Sequence, residues 1–194
     1  DISKVTYIEA IENIAHYIEE KKPVQIVTAN AEIVFTASRE QKLKDIVNNS
    51  AMVTADGIGV VHAAKIKGEP VPCKVAGVEL TEKLLALSGQ KNWKFYFLGG
   101  APGVPEKAKS NLLQKYPDVQ IVGTRNGYFT PDEEDEIIKD IVAKKPDILF
   151  VALGFPKQEL WIARNKDKIN VPVSIGVGGS LDIFSGNKKR APQL

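Results

Sequence analysis

Asp56 follows the short apolar run Ala51 to Ala55 and precedes Gly57. A carboxylate in that place, partly withdrawn from water, stays basic enough to take a proton from a substrate hydroxyl. The same aspartate can equally cap the helix that follows. Thr28 and Asn30 close an earlier apolar run and can orient a substrate hydroxyl or a phosphate. A threonine ending a strand and an asparagine capping a helix are also ordinary placements. In Gly154-Phe-Pro156-Lys157-Gln158 a cation and an amide enter the first turn of a helix, where they can address a phosphate or a sugar. Lysine there opposes the helix dipole, which speaks against a purely structural role. Tyr128, beside Gly127, can stack on a base or pack at a rim. Asp182, shortly after Gly178, falls inside a helical stretch where capping or surface exposure would explain it as well as ligand contact. His62 reads as a packed or half-exposed residue and Cys73 as a small apolar filler.

Most of these residues lie at or shortly after the ends of apolar runs, and the runs carry the fold. Val24 to Thr28, Ala51 to Asp56, Lys94 to Gly99, Val119 to Thr124, Ile148 to Leu153 and Val173 to Val177 are short and nearly continuously apolar, as parallel strands covered on both faces should be. Between them the period becomes helical: Val5, Ile8, Ile11, Ile14, Ala15 and Ile18 share one face. Thr130-Pro-Asp-Glu133 is a capping box, Gly103 to Tyr116 reads as a helix ending before Pro117, and Pro156 opens another. The prediction is one α/β domain over residues 1–194, Rossmann-like, with a mostly parallel sheet of about six strands flanked by helices.

In such sheets ligands bind beyond the carboxyl ends of the strands. Six loops then converge on one cleft, among them Gly99-Gly100-Ala-Pro-Gly103, Thr124 to Tyr128 and Gly176-Val-Gly178-Gly179. Glycine admits close backbone approach and a helix N-terminus offers N–H groups to an anion, so a phosphorylated ligand is expected. The plainer alternative is that βα turns need glycine for their geometry. Known phosphate motifs do not decide the matter. Gly57-Ile-Gly59-Val-Val-His62 has histidine where the dinucleotide fingerprint needs its third glycine, no GxxxxGK[ST] occurs, and no Asp-x-Asp pair is present to hold a divalent ion.

Composition removes other classes. With 194 residues, 43% hydrophobic and 26% charged, the chain can bury one sizeable core. A formal charge of +2 is far from the basic field of a nucleic-acid binder. One cysteine and two histidines are too few for a zinc site of the usual kind or an internal disulfide, and the longest apolar stretch is too short to span a bilayer. A cytoplasmic protein without a resident metal or cofactor is expected. Val60, Val61 and Ala64 form an apolar face that fits the core or a contact between copies in a homo-oligomer.

Thr28-Ala-Asn30, Asp56-Gly-Ile-Gly-Val60, Val75-Ala-Gly77, Leu98-Gly-Gly100, Gly127-Tyr-Phe129, Gly154-Phe-Pro-Lys-Gln-Glu159 and Arg190-Ala-Pro192 occur in this order, and with them the chain resembles the WecG/TagA/CpsF glycosyltransferases from Val24 to Pro192. The resemblance implies a bacterial transferase that moves N-acetylmannosamine from a UDP donor to undecaprenyl-diphosphate-linked N-acetylglucosamine, inverting and without a metal, in the branch that primes wall teichoic acid linkage units. It further implies that Asp56 is the base and that Thr28, Asn30 and Gln158 line the reaction centre. Without a metal the departing diphosphate needs positive potential, from glycine-loop N–H groups and from cations such as Lys74 or Lys157. Other members continue past Arg-Ala-Pro into a basic, amphipathic tail that contacts the cytoplasmic face of the membrane, whereas this sequence stops at Leu194. Lys188, Lys189 and Arg190 stand where that tail would begin, and residues 1–187 carry 23 cations against 24 acids. The expectation is the soluble core of a peripheral membrane enzyme. An NAD-dependent oxidoreductase and a non-catalytic nucleotide-sugar sensor are the competing readings; the broken fingerprint counts against the first.

Overall fold

The structure is a computed structural model and describes residues 1–189. In chain order its elements are α1 (Tyr7–Glu20), β1 (Val24–Ala29), α2 (Ala31–Arg39), α3 (Gln41–Asn48), β2 (Met52–Ala55), α4 (Ile58–Ile66), α5 (Gly77–Ala86) and α6 (Ser88–Lys91). There follow β3 (Lys94–Gly99), α7 (Val104–Lys115), β4 (Gln120–Arg125), a 3-10 turn (Pro131–Glu133), α8 (Glu134–Lys144), β5 (Ile148–Ala152), α9 (Lys157–Ile169), β6 (Val173–Gly176) and α10 (Ser180–Phe184). The six strands form one all-parallel sheet in the order β2-β1-β6-β5-β3-β4, an α/β fold flanked by helices, as the apolar runs predict.

The strands are sheet because both of their faces are covered. Every residue of β2, β5 and β6 is buried. Alternation within β3 sends Phe95 and Phe97 to one face, where they meet Phe150, Leu80, Leu84 and Ala108, while Tyr96 and Leu98 join Ile137, Ile141, Trp161 and Ile162 of α8 and α9 on the other. On the far half of the sheet Val27, Ala29 and Val53 pack against Ile33 of α2 and Leu43 of α3. Val60 is buried and, with partly buried Val61 and Ala64, closes a small cluster around Ala55 and Val71. Within the described residues that apolar face is therefore core.

Helix starts follow their sequence signals with small shifts. Thr6 and Glu9 form a capping box at α1. The Thr130–Glu133 box is present too, but it opens the 3-10 turn, with α8 following from Glu134. Pro156 lies one position before α9 rather than in its first turn, and the peptide bond before it is cis. The basic turn is described as far as Lys189; Lys188 reaches Asp182 at 3.6 Å, and Arg190-Ala-Pro192 lie outside the described residues. Among the described residues no helix is long and apolar enough to cross a membrane.

The strand order has one consequence for the site. β1, the first strand, lies between β2 and β6, the last, with Val27 opposite Gly176 and Thr28 opposite Thr54. The carboxyl ends of β2, β1 and β6 are therefore neighbours although their residues are far apart in sequence.

Candidate active site

A cleft of about 330 Å³ opens at these three strand ends and the start of α9. Of the residues the sequence singles out, Thr28, Asn30, Asp56, Gln158 and Gly178 line it, together with Glu32, Ile33, Val78, Phe155, Val177, Gly179, Ser180 and Ile183.

Asp56 is set at the end of β2 by its own N–H, which donates to the Ala29 carbonyl at 2.9 Å. Its side chain does not cap the helix that follows; Gly57 stands at the N-cap of α4, which has no side-chain cap. Instead Oδ2 accepts the N–H of Gly77, the first residue of α5, at 2.9 Å. Gly77 is glycine for a steric reason: a Cβ there would stand 2.8 Å from Thr28 Oγ1 and 3.2 Å from Asp56 Oδ2. Burial raises the carboxyl of Asp56 above its ordinary range, against the opposing pull of the Gly77 N–H and the Lys74 ammonium, with Glu79 adding to the rise. Such a group is a stronger base than a solvated aspartate.

The surroundings hold this arrangement still. The Tyr7 hydroxyl, brought in by α1, donates to Glu79 and accepts the Ala76 N–H at 2.8 Å, which fixes the start of α5 next to the N–H that Asp56 uses. Lys74 lies 3.9 Å from Glu79 and so belongs to the same charged group. Thr28 Oγ1 donates to the Gly176 carbonyl at 3.0 Å, while Asn30 caps α2 by accepting the Ile33 N–H at 2.9 Å. The ordinary capping placement of Asn30 is thus present, on a residue that also faces the cleft.

Gln158 and Glu159 enter from the first turn of α9. Gln158 Oε1 accepts the Gly178 N–H at 3.1 Å, and its Nε2 donates to Glu159 Oε1 at 2.9 Å. Glu159 is only 1% exposed, and its second carboxylate oxygen has no hydrogen-bond partner among the described residues. Burial pushes its carboxyl up from 4.5 to about 7, against the hydrogen bond from Gln158.

The other predicted residues stand apart from this cleft. Gly99, Gly100 and Gly127 close on one another: Gly127 N–H donates to the Gly100 carbonyl at 2.8 Å, and Gly100 N–H to that of Ala152 at 3.0 Å. Tyr128 is 74% exposed beside them. Gly154, Pro156 and Lys157 are exposed at the mouth of α9, with Lys157 Nζ over the Phe129 ring at 5.4 Å, and Asp182 faces Lys188. Four of the six strand-end loops border the cleft, and the loops after β3 and β4 pair with each other instead. Sequence reasoning passed over Tyr7 and Glu79, and took Gly77 and Glu159 only as parts of motifs, in Val75-Ala-Gly77 and after Gln158, without a role. Among the described residues no three His, Cys, Asp or Glu side chains gather as metal ligands.

The model of the glycosyl transferase WecG/TagA/CpsF family matches residues 1–194. Proteins of Staphylococcus aureus strains NCTC 8325 / PS 47, COL and MRSA252 are each 37% identical over 197 aligned positions, which cover all of this chain and 76% of theirs. Each is named N-acetylglucosaminyldiphosphoundecaprenol N-acetyl-beta-D-mannosaminyltransferase.

Proposed function

The chain belongs to the WecG/TagA/CpsF glycosyltransferase family, and from that premise we propose that it transfers N-acetylmannosamine from its UDP ester to undecaprenyl-diphosphate-linked N-acetylglucosamine, in wall teichoic acid linkage-unit synthesis at the cytoplasmic face of the membrane. The observation that carries the reading is the Asp56 carboxylate, desolvated, held by the Gly77 N–H and set in one cleft with Thr28, Asn30 and Gln158.

In this reading the transfer is a single in-line displacement with inversion. Asp56 takes the proton of the acceptor hydroxyl; with Oδ2 engaged by Gly77, the proton goes to Oδ1. The freed oxygen attacks the anomeric carbon, the bond from that carbon to the diphosphate oxygen breaks, and UDP leaves on the opposite face with the electron pair. Leaving-group charge needs positive potential, and no metal is invoked. Lys74, whose charge is felt at Asp56, supplies it, whereas Lys157 is drawn toward Phe129. Family membership turns the reading away from the oxidoreductase alternative, and a sensor gains no support from a base so placed.

The test is Asp56→Asn, assayed with UDP-N-acetylmannosamine and a synthetic lipid-linked acceptor, with the product read by mass spectrometry. Turnover should fall by about 10³-fold, the range for loss of a general base, while UDP titrated by calorimetry binds as before. Retained turnover removes Asp56 as the base.

A further inference from the structure

A buried carboxylate with an unpartnered oxygen is a cost to the fold, and Glu159 sits one residue from the cleft without lining it. Gln158, its hydrogen-bond partner, is itself 3% exposed and reaches the cleft. An amide can be turned two ways, and only one suits the Gly178 N–H: Oε1 must face it. The opposite orientation sets two donors against each other. Glu159 adds a second constraint in the same sense, because its Oε1 accepts from the Nε2 side of the amide.

The strand beneath is shaped to the same pair. A Cβ on Gly176 would stand 2.7 Å from Gln158 Nε2 and 2.9 Å from Glu159 Oε1, so the amide and the carboxylate press directly on the backbone of β6. The loop after β6 is then gripped from both sides, by Thr28 on the Gly176 carbonyl and by Gln158 on the Gly178 N–H.

We propose that Glu159 is a positioning residue that acts through Gln158: it fixes the orientation in which the Gln158 amide holds Gly178, and so sets the glycine wall of the cleft and the single side-chain donor, Nε2, that Gln158 offers a ligand. The catalytic consequence rests on the transferase reading above; the local one does not. Retention of a half-satisfied buried acid follows, since an apolar residue there would fit the fold better and the site worse.

The experiment uses this chain with Glu159→Leu, Glu159→Gln and Gln158→Ala, and reads amide hydrogen exchange at Gly178, thermal melting, and the split of turnover between kcat and KM. Glu159→Leu should speed exchange of the Gly178 N–H at least tenfold, leave that of Val177, bonded to the Val151 carbonyl, unchanged, and keep or raise Tm. The same variant should lower kcat about tenfold with the donor KM within threefold. Glu159→Gln, which keeps an acceptor for Nε2, should restore both kcat and Gly178 protection to within about twofold. On a Gln158→Ala background Glu159→Leu should add nothing further. Unchanged Gly178 exchange in the Leu variant, equal loss in the Leu and Gln variants, or a full additive effect without Gln158 each overturns the proposal. If exchange behaves as expected while a form extended to the relatives' length transfers no sugar, the positioning stands and the transferase reading falls.

Discussion

The carboxyl edge of the sheet has two halves that look alike in sequence, since both are loops of glycine and small polar residues. Over β2, β1 and β6 the glycines make room for side chains: Gly77 lets Asp56 and Thr28 approach α5, and Gly176 lets Gln158 and Glu159 lie on the strand. Over β3 and β4, against the end of β5, backbone closes on backbone: a Cβ on Gly99 would strike Ala152, and the N–H groups of Gly100 and Gly127 go to the Ala152 and Gly100 carbonyls, with Val104 and Leu153 side chains filling the remaining space. A glycine that admits a side chain leaves polar atoms available to a ligand, and one that admits another backbone uses them up.

The contrast breaks most visibly under substitution of Gly99. Its φ is +130° and a Cβ would stand 2.3 Å from the Ala152 carbonyl oxygen. Gly99→Ala should therefore lose about 4 kcal/mol of stability, a Tm about 10 °C lower by calorimetry, without changing UDP affinity of the folded fraction. If UDP affinity falls as well, the second half is also a binding surface.

Next in size is the pH response of the first half. Burial makes Glu159 harder to ionise in the folded chain than in the unfolded one, so the folded state binds more protons between pH 4.5 and about 7. Its contribution is fully present below the lower value and is lost as pH rises through the upper, about 3 kcal/mol in all. Tm followed against pH should show that decline in the unaltered chain and a flatter course in Glu159→Gln; parallel curves would show that the acid is not held neutral.

Gly77→Ala sharpens the comparison from the other side. The added methyl meets Thr28 and Asp56 rather than backbone, so turnover should fall about 30-fold, roughly 2 kcal/mol, with Tm changed by only a few degrees. A loss of stability as large as that of Gly99→Ala would erase the distinction between the two halves. Tyr128→Ala has the smallest expected effect: the ring is exposed and stands apart from the cleft, so UDP affinity should stay unchanged, and a fall of about fivefold, the roughly 1 kcal/mol of a stacked ring, would extend the nucleotide's site into the second half.

Much of this was legible in the residues. All six strands were: five are buried along nearly their whole length and so read as apolar runs, while half-buried β4 at the sheet edge is still marked by Val119, Ile121 and Val122. Asp56, Thr28, Asn30, Gln158 and Gly178 were singled out because they lie at or beyond the ends of such strands, and the structure gathers them at one cleft. Tyr7 was not, since its hydroxyl serves Ala76, 69 residues away, and the apolar face read for the first helix leaves it out. Glu159 escaped for a different reason: an acid in the first turn of a helix is sufficiently explained by the dipole, and nothing in the local sequence says that it is buried. The loops after β3 and β4 carry the same glycine signal as the others, and only their mutual hydrogen bonds show that it means packing.

The pairing of the first strand with the last also orders events during synthesis. Thr28 and Asn30 leave the ribosome early, yet the strand that flanks them, with the Gly176 carbonyl and Gly178 N–H they work beside, is made almost 150 residues later. At ordinary elongation rates that is roughly ten to thirty seconds in which β1 has one open edge and the cleft has no third wall. The nascent chain therefore completes its cleft only near the end of translation, and termination before β6 leaves the loops after β1 and β2 without the strand that forms the third wall.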